Sequence, residues 1–307
     1  MSTVDDLFHP VIELPEPVRA DRYSRLVGLN ASKERLRREA RLLVDPNRLQ
    51  QWAAQHHEPD IPALDLIADR APLFVFAGDV GVGKTALAES FGCDLADELD
   101  LPVFLYRLKL TARGSGLVGE MTTLIGDAFA HLLVAGTKSR GTRRPNAVHI
   151  LVVDEADALA QSRASAQMHH EDRAGVDALL SGVDSLAGAK VPVLVVMCTN
   201  REQALDPAVS RRAAATLTFE RPDDKQRHAV LEQSLRGTGI APSALEELVA
   251  LTGARGSSPG YTYSDLTQRL IPSAILAVFP DQPLSADVLL TIARGLRATP
   301  AFTAAAP

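Results

Sequence analysis

The sequence predicts an α/β fold, a doubly wound five-stranded parallel sheet followed by a small C-terminal helical domain. Up to residue 221, short apolar runs alternate with helical patterns, which is typical of parallel strands joined by crossover helices. After Arg221-Pro222 only helical patterns follow. A chain of 307 residues is long enough for one α/β domain and a small appendage.

Five apolar runs have the length and residue types of buried parallel strands. They are residues 73–77, 103–108, 149–153, 193–198 and 216–219. Ahead of them, residues 32–43 carry apolar side chains at helical spacing and predict a helix. The segment from Pro46 through Pro62 has no such pattern and is expected to be a loop.

Domain boundaries follow from changes in residue type along the chain. Residues 1–22 are interrupted by three prolines and are expected to form an N-terminal arm. The large α/β domain is then expected over residues 23–221, and a helical lid domain over residues 222–296. Residues 297–307 are small and contain proline, which predicts a disordered tail.

Composition and charge argue against several classes of protein. No apolar run is long enough to span a membrane and the N-terminus has no signal-peptide pattern, so we expect a cytoplasmic protein without a membrane partner. A net charge of −6 disfavours nucleic acid as the partner. Cys93 and Cys198 lie in apolar stretches without metal-ligand spacing, which indicates reduced core residues.

A phosphate-binding loop follows the first predicted strand and precedes a helix. Its sequence fits G-x-x-x-x-G-K-[ST], in which glycines let successive backbone N–H groups converge on a phosphate at the positive end of the helix. We expect Lys84 to contact the β- and γ-phosphates of ATP and the Thr85 hydroxyl to hold Mg²⁺. The predicted nucleotide-binding residues are Gly78, Asp79, Val80, Gly81, Val82, Gly83, Lys84, Thr85 and Ala86.

Carboxylates stand at the carboxyl end of the predicted strand 149–153, the edge where ligands bind in open α/β sheets. Asp154 is expected to coordinate Mg²⁺, and Glu155 to accept a proton from the water that attacks the γ-phosphate. Asp157 by itself also fits an acidic residue in the first turn of a helix.

A polar pair ends the next buried run, at residues 193–198. Thr199 and Asn200 follow it directly, and an asparagine after a strand is by itself a common turn residue. Because the carboxyl ends of parallel strands meet at one edge of a sheet, we expect the Asn200 amide to orient the attacking water beside Glu155.

These motifs, with Leu205-Asp206-Pro207-Ala208 after them, resemble those of AAA+ ATPases over about residues 22–295. The segment Tyr23-Ser-Arg-Leu-Val-Gly28-Leu29 also resembles the family's linker, and the resemblance implies that Val27 and Gly28 contact the adenine. Members of the family form homo-hexameric rings in which an arginine of one subunit reaches the γ-phosphate bound by its neighbour.

Two arginines occupy the position of that trans-acting residue. They are Arg211 and Arg212, which follow Asp206-Pro207-Ala208. The common AAA+ sequence L-R-P-G-R-F-D-R is absent, and the alignment with the family is displaced by one residue here. Arg212 is therefore the first choice for the trans-acting arginine and Arg211 the second.

The short arginine segment is similar to that of the pachytene-checkpoint group of HORMA-domain remodellers. Residues 154–163 and 175–184 also resemble that group. Bacterial relatives of this kind occur in antiphage operons, where they act on HORMA proteins that switch on a cyclic-nucleotide synthase. The resemblance implies that ATP hydrolysis partly unfolds or disassembles such a protein partner.

Two regions depart from the usual AAA+ pattern. The resemblance places Gly116, Leu117 and Val118 in the loop that faces the central pore, with Leu117 as an aliphatic gripping residue in place of an aromatic one. In the helical domain Ser264 stands where some relatives carry a sensor arginine, and Arg269 is one helical turn further on.

Other functions remain open at this point. The start of the chain also resembles activase-like AAA+ proteins that strip inhibitors from an enzyme. An ATP-dependent loader or switch associated with nucleic acid is a further alternative, which the acidic charge opposes. A small-molecule kinase fits poorly with Glu155, Asn200 and the arginine pair.

Overall fold

A computed structural model describes residues 3–45, 47–57, 61–110, 120–142, 144–157, 170–201 and 206–302. The chain divides into two units, each described separately. The sheet unit comprises Met1–Arg25, Ala31–Ala77 and Thr85–Thr218, and the helical unit comprises Leu26–Asn30, Gly78–Lys84 and Phe219–Pro307.

The predicted α/β fold class is confirmed, and every predicted strand begins and ends within one residue of the structure's bounds. The sheet has six strands in the order β1-β3-β4-β5-β2-β6. Their bounds are β1 Ile12–Leu14, β2 Leu73–Gly78, β3 Val103–Arg107, β4 Val148–Val153, β5 Val193–Thr199 and β6 Ala215–Phe219. Strand pairs β2/β5, β3/β4 and β4/β5 are parallel.

The sixth strand, β1, comes from the segment that we expected to be only an arm. It pairs antiparallel with β3, placing Ile12 opposite Leu105, and a further bridge joins Phe8 to Leu108. Leu14 and Phe8 are almost fully buried. Three residues between prolines are too few to show the alternation that identifies a strand, which explains why this edge strand was missed.

The central strands explain why the sequence predicted the sheet well. All residues of β4 and β5 are buried, and except for His149 and Thr199 they are apolar on both faces of the sheet. The described helices of the sheet unit are α1 Val4–Leu7, α2 Pro17–Arg25, α3 Asn30–Val44, α4 Asn47–His56, α5 Ala63–Ala68, α6 Lys84–Ala88, α7 Phe91–Leu99, α8 Glu120–Ser139, α9 His170–Ala189 and α10 Pro207–Arg212.

Helix α4 corrects the expected loop between Pro46 and Pro62, and α5 begins directly after Pro62. Helix α4 buries only Leu49 and Ala53, one helical turn apart, so its apolar stripe is too short to be distinguished from a loop in the sequence. The main core of the sheet unit lies outside α4 and contains many more buried side chains than this helix contributes. Both cysteines, Cys93 and Cys198, are buried and neither forms a disulfide.

Helices α8 and α9 pack together on the sheet and contribute many of the buried side chains of its core. The contact is close because α9 presents Gly182 to the ring of Phe129, which any Cβ at that position would overlap. Leu132, Leu179 and Val183 are fully buried in the same cluster. No described helix in either unit is long and apolar enough to cross a membrane.

The helical unit has its own core. Its elements are α11 Asp224–Ser234, α12 Pro242–Thr252, a π-helical segment Asp265–Leu270, α13 Ile271–Val278 and α14 Ala286–Gly295. Leu231, Leu248, Leu266 and Leu289 are fully buried where these elements meet. Asp223 caps α11 by accepting a hydrogen bond from the Gln226 N–H at 2.8 Å, so the helix begins where the sequence changes character.

A buried carboxylate fixes the end of the helical unit. Asp265 is 0% exposed and accepts hydrogen bonds from the Thr262 N–H at 3.0 Å, the Thr299 N–H at 3.0 Å and the Thr299 hydroxyl at 2.7 Å. Arg269 forms an ion pair with the same carboxylate. The chain that we expected to be disordered from residue 297 is therefore packed through Thr299, because a buried acid needs these donors.

Replacing Asp265 with Asn should lower the free energy of unfolding by at least about 1.5 kcal/mol, because several hydrogen bonds to a charged acceptor are weakened or lost. Urea unfolding followed by circular dichroism measures the change. The control is Asp281→Asn, which makes the same chemical change at an exposed position and should alter stability by less than about 0.5 kcal/mol. Equal losses in both variants would contradict the assignment.

The same network gives the stability a pH dependence. Burial raises the pKa of Asp265, but the hydrogen bonds from Thr262, Thr299 and Arg269 outweigh it and hold the pKa below the ordinary value of 3.8. The stabilisation is therefore complete above pH 3.8 and is lost as pH falls through the folded-state pKa. The difference in stability between wild type and Asp265→Asn should shrink over that acidic range.

Candidate active site

The phosphate-binding loop belongs to the helical unit up to Lys84. Gly78, Gly81 and Gly83 all have positive φ, at +150°, +75° and +99°, a region that side chains other than glycine rarely adopt. The Lys84 ammonium lies within the turn and donates to the carbonyls of Gly78 at 2.9 Å and Asp79 at 2.6 Å. The loop therefore has the curled backbone that phosphate binding requires, with its lysine directed inward.

Asp79 links this loop to the rest of the helical unit through its side chain. Its carboxylate forms an ion pair with Arg221 at 2.6 Å and accepts from the N–H groups of Val80 at 2.8 Å and Phe302 at 3.1 Å. Burial raises the pKa of Asp79, but these donors outweigh it and lower the pKa overall. Sequence reasoning missed Arg221, which lies 142 residues from Asp79 and carries no motif.

Val27 and Gly28, the residues that resemble an adenine contact, pack within the helical unit. Val27 lies against its hydrophobic core, and Gly28 has φ +77°. A Cβ at Gly28 would approach the Tyr263 hydroxyl to 2.7 Å and Gln226 to 2.6 Å. Burial raises the pKa of Tyr263 from the ordinary value of 10.0 to about 12, and at neutral pH the hydroxyl is protonated in either case and can donate a hydrogen bond.

Ser264 lies beside the phosphate-binding loop, since its N–H donates to the Gly81 carbonyl at 3.1 Å. Arg269, the weaker candidate for a sensor, is held by Asp265 and by the Thr299 hydroxyl at 3.3 Å. The structure thus brings Ser264 to the loop and commits Arg269 to the buried network.

A hydroxyl and a carboxylate meet in the sheet unit at the expected magnesium position. The Thr85 hydroxyl, at the start of α6, donates to Asp154 Oδ2 at 2.9 Å and Oδ1 at 3.1 Å. Oxygen ligands of this kind suit Mg²⁺, which keeps several waters and binds through few protein side chains plus phosphate. The described residues contain no cluster of three His, Cys, Asp or Glu side chains that could hold a metal ion by themselves.

Glu155 occupies an unusual backbone conformation next to this pair. Its φ is +51°, although it is not a glycine, and its N–H donates to Asp154 Oδ1 at 3.0 Å. Its side chain is exposed, so water can reach the carboxylate. Strained residues of this kind occur at sites where the surrounding structure fixes a functional group.

The end of β5 carries the predicted polar pair. Thr199 is buried, Asn200 is half-buried, and both donate hydrogen bonds to the carboxylate of Asp157. The Ala156 N–H also donates to the Cys198 carbonyl at 2.9 Å. The acidic turn after β4 and the polar end of β5 therefore form one hydrogen-bonded unit.

The two candidate arginines end α10 and differ in their contacts. Arg212 pairs with both oxygens of Asp184, through Nε at 2.8 Å and Nη2 at 2.9 Å, whereas Arg211 is exposed. An open groove beside them is lined by Asp177, Leu180, Ser181, Asp184, Ser185, Asp206, Pro207, Ala208, Arg211 and Arg212. Asp184 lies 28 residues before Arg212, and no sequence pattern pointed to it as the partner of Arg212.

Gly116, Leu117 and Val118 of the predicted pore loop lie outside the described residues.

Comparisons with known proteins identify the class. Residues 74–221 match the model of the ATPase family associated with various cellular activities (AAA). CD-NTase-associated protein 6 of Escherichia coli (strain MS 115-1) is 49% identical over 302 residues, which cover 98% of this chain and 97% of the relative. The chain therefore belongs to the AAA family of ATPases, and it binds and hydrolyses ATP.

Solved structures agree with this assignment over nearly the whole chain. A chain of the E. coli MS115-1 HORMA:CdnC:Trip13 complex is similar with a TM-score of 0.92 and 48% identity, covering 98% of this chain and 99% of that one. Rhizobiales Trip13 is similar with a TM-score of 0.74 and 40% identity, covering 95% and 99% of the two chains.

Replacing Gly81 with Ala should weaken nucleotide binding at least about tenfold. The left-handed backbone disfavours a Cβ by about 1–2 kcal/mol, and that Cβ would approach Thr262 Oγ1 and Ser264 Cβ to 2.8 Å. Titration with a fluorescent ATP analogue measures the affinity. Gly239→Ala is the matched control, because Gly239 has φ +76° with nothing within 4 Å of the added Cβ. Wild-type affinity in Gly81→Ala would contradict this reading of the loop.

Proposed function

We propose that this chain is an ATP-driven, homo-hexameric remodeller that partly unfolds or disassembles a HORMA-domain protein controlling a bacterial antiphage cyclic-nucleotide synthase. The observation that carries the proposal is the likeness over nearly the full length to a chain solved together with HORMA and CdnC proteins. The motifs for ATP hydrolysis are complete in the sequence, so the chain has the residues that such work requires.

Nucleotide binding rests on the loop from Gly78 to Thr85. Its backbone N–H groups would contact the phosphates, Lys84 would neutralise charge on the β- and γ-phosphates, and Val27-Gly28 would contact the adenine. The positive φ values of the loop glycines and the inward Lys84 ammonium support these roles.

Hydrolysis rests on residues at the carboxyl ends of the strands. Thr85 and Asp154 would hold Mg²⁺, which neutralises developing negative charge on the phosphates when bound. Glu155 would take a proton from the attacking water, and Asn200 would orient that water. The 2.9 Å contact between Thr85 and Asp154 and the exposed carboxylate of Glu155 support the assignment.

Arg212 is the proposed trans-acting arginine, and Arg211 is the alternative. In the isolated chain Arg212 is paired with Asp184, but the two side chains are 36% and 52% exposed. An ion pair this exposed contributes at most about 1 kcal/mol, so a neighbour's phosphate can replace the carboxylate. Arginine suits both partners because its planar guanidinium group can form two hydrogen bonds to either a carboxylate or a phosphate.

Glu155→Gln should retain ATP binding and lower turnover about 100-fold or more, because the metal ligands remain while the proton acceptor is lost. With ATP this variant should also form hexamers of the 32.9-kDa chain that retain a HORMA-domain protein encoded beside it. Light scattering after size-exclusion chromatography measures both assembly and capture.

The matched control is the double variant Glu155→Gln with Lys84→Ala, which cannot bind ATP and should neither assemble nor capture the protein. A Glu155→Gln chain that binds ATP as a monomer and ignores the HORMA-domain protein would contradict the remodeller proposal. Normal turnover in Glu155→Gln would remove Glu155 from the mechanism.

Arg212→Ala should lower ATP turnover about 1,000-fold in assembled rings without weakening ATP binding, whereas Arg211→Ala should retain most activity. Mixing Arg212→Ala with Glu155→Gln subunits, which bind ATP and assemble but keep Arg212, distinguishes action in trans. Each variant is inactive alone, but mixed rings pair an intact nucleotide site with an intact neighbouring arginine, so activity should return. No recovery on mixing, or a larger loss in Arg211→Ala, would overturn the choice of Arg212.

A further inference from the structure

Asp157 is a half-buried carboxylate that the mechanism above does not use. Three hydrogen bonds to its carboxylate come from described residues at the end of β5, more than 40 residues away. They are the Thr199 hydroxyl to Oδ1 at 2.7 Å, the Asn200 N–H to Oδ1 at 2.9 Å and the Asn200 side-chain Nδ2 to Oδ2 at 3.2 Å. Asp157 therefore binds both the backbone and the amide of Asn200.

These bonds set the orientation of the Asn200 amide. A carboxylate only accepts hydrogen bonds, so it selects the Nδ2 end of the amide and turns the Oδ1 end away from itself. Thr199 strengthens the arrangement, because its hydroxyl donates to Asp157 and accepts from the Arg201 N–H at 3.0 Å. An amide oxygen can accept a hydrogen bond from water, whereas an amide nitrogen cannot.

We propose that Asp157 is a positioning residue for ATP hydrolysis, which holds the Asn200 amide so that Oδ1 faces the water whose proton Glu155 accepts. This inference rests on the proposed roles of Glu155 and Asn200. Asp157 touches neither substrate nor metal in this arrangement and acts only through Asn200. Its position two residues after Glu155 places the proton acceptor and the support for the water-orienting amide on one turn.

Asp157→Asn tests the inference, because the new amide offers one acceptor oxygen in place of two and no longer selects the Nδ2 end of Asn200. We expect kcat to fall about 10- to 100-fold, as for other small displacements of an orienting group. The KM for ATP should not change. Affinity for ADP with aluminium fluoride, which mimics the transition state, should fall in step with kcat.

A double-variant comparison separates positioning through Asn200 from a general structural effect. In an Asn200→Ala background, Asp157→Asn should lower kcat little further, because the group that it orients is already gone. Equal fold losses in both backgrounds, or a rise in KM as large as the fall in kcat, would overturn the proposal. If Asp157→Asn does not fold, Asp157→Glu gives the same test by displacing both acceptor oxygens while keeping the charge.

Glu155→Gln makes failure of this inference distinguishable from failure of the proposed function. Loss of turnover in Glu155→Gln combined with wild-type kcat in Asp157→Asn would refute the role of Asp157 alone. Retained turnover in Glu155→Gln would instead refute the hydrolysis mechanism on which this inference depends.

Discussion

The hydrogen bonds from the Thr85 hydroxyl to the Asp154 carboxylate join two strands that are not neighbours in the sheet. Thr85 follows β2 and Asp154 follows β4, and the sheet order places β5 between those strands. Parallel pairing on both sides of β5 brings all three carboxyl ends to one edge. The site therefore depends on the register of the sheet, and the end of β5 lies between the two predicted metal ligands.

Burial of the central strands protects that register. Every residue of β4 and β5 is buried, so a shift of one position would change which side chains face each layer of helices. Apart from the buried His149 in β4, polar side chains appear only where these two strands end, at Asp154 and Thr199. The candidate functional side chains at the edge of the sheet and the buried side chains at its centre are thus different residues along the same strands. Because the buried residues supply the stability, the edge can include a strained residue such as Glu155.

Sequence reasoning succeeded where a signal is local and repeated. Buried strands are continuous apolar runs and the phosphate-binding loop is a contiguous motif, so both could be predicted from neighbouring residues. Strand β1 and helices α4 and α5 are short and bury few side chains, which leaves almost no periodic pattern. Asp184 and Arg221 could not be predicted as partners of Arg212 and Asp79, because ion pairs between distant segments depend on tertiary packing.

Three aspartates show how burial adapts the same side chain to different tasks. Asp265 is fully buried and surrounded by donors, so its contacts are too costly to exchange and they fix the end of the helical unit. Asp157 is half-buried and holds one amide in one orientation. Asp184 is exposed, so water compensates for a broken ion pair and Arg212 can leave it at little cost. The arginine that is proposed to act on a neighbouring subunit is therefore the one whose ion pair the fold leaves at the surface.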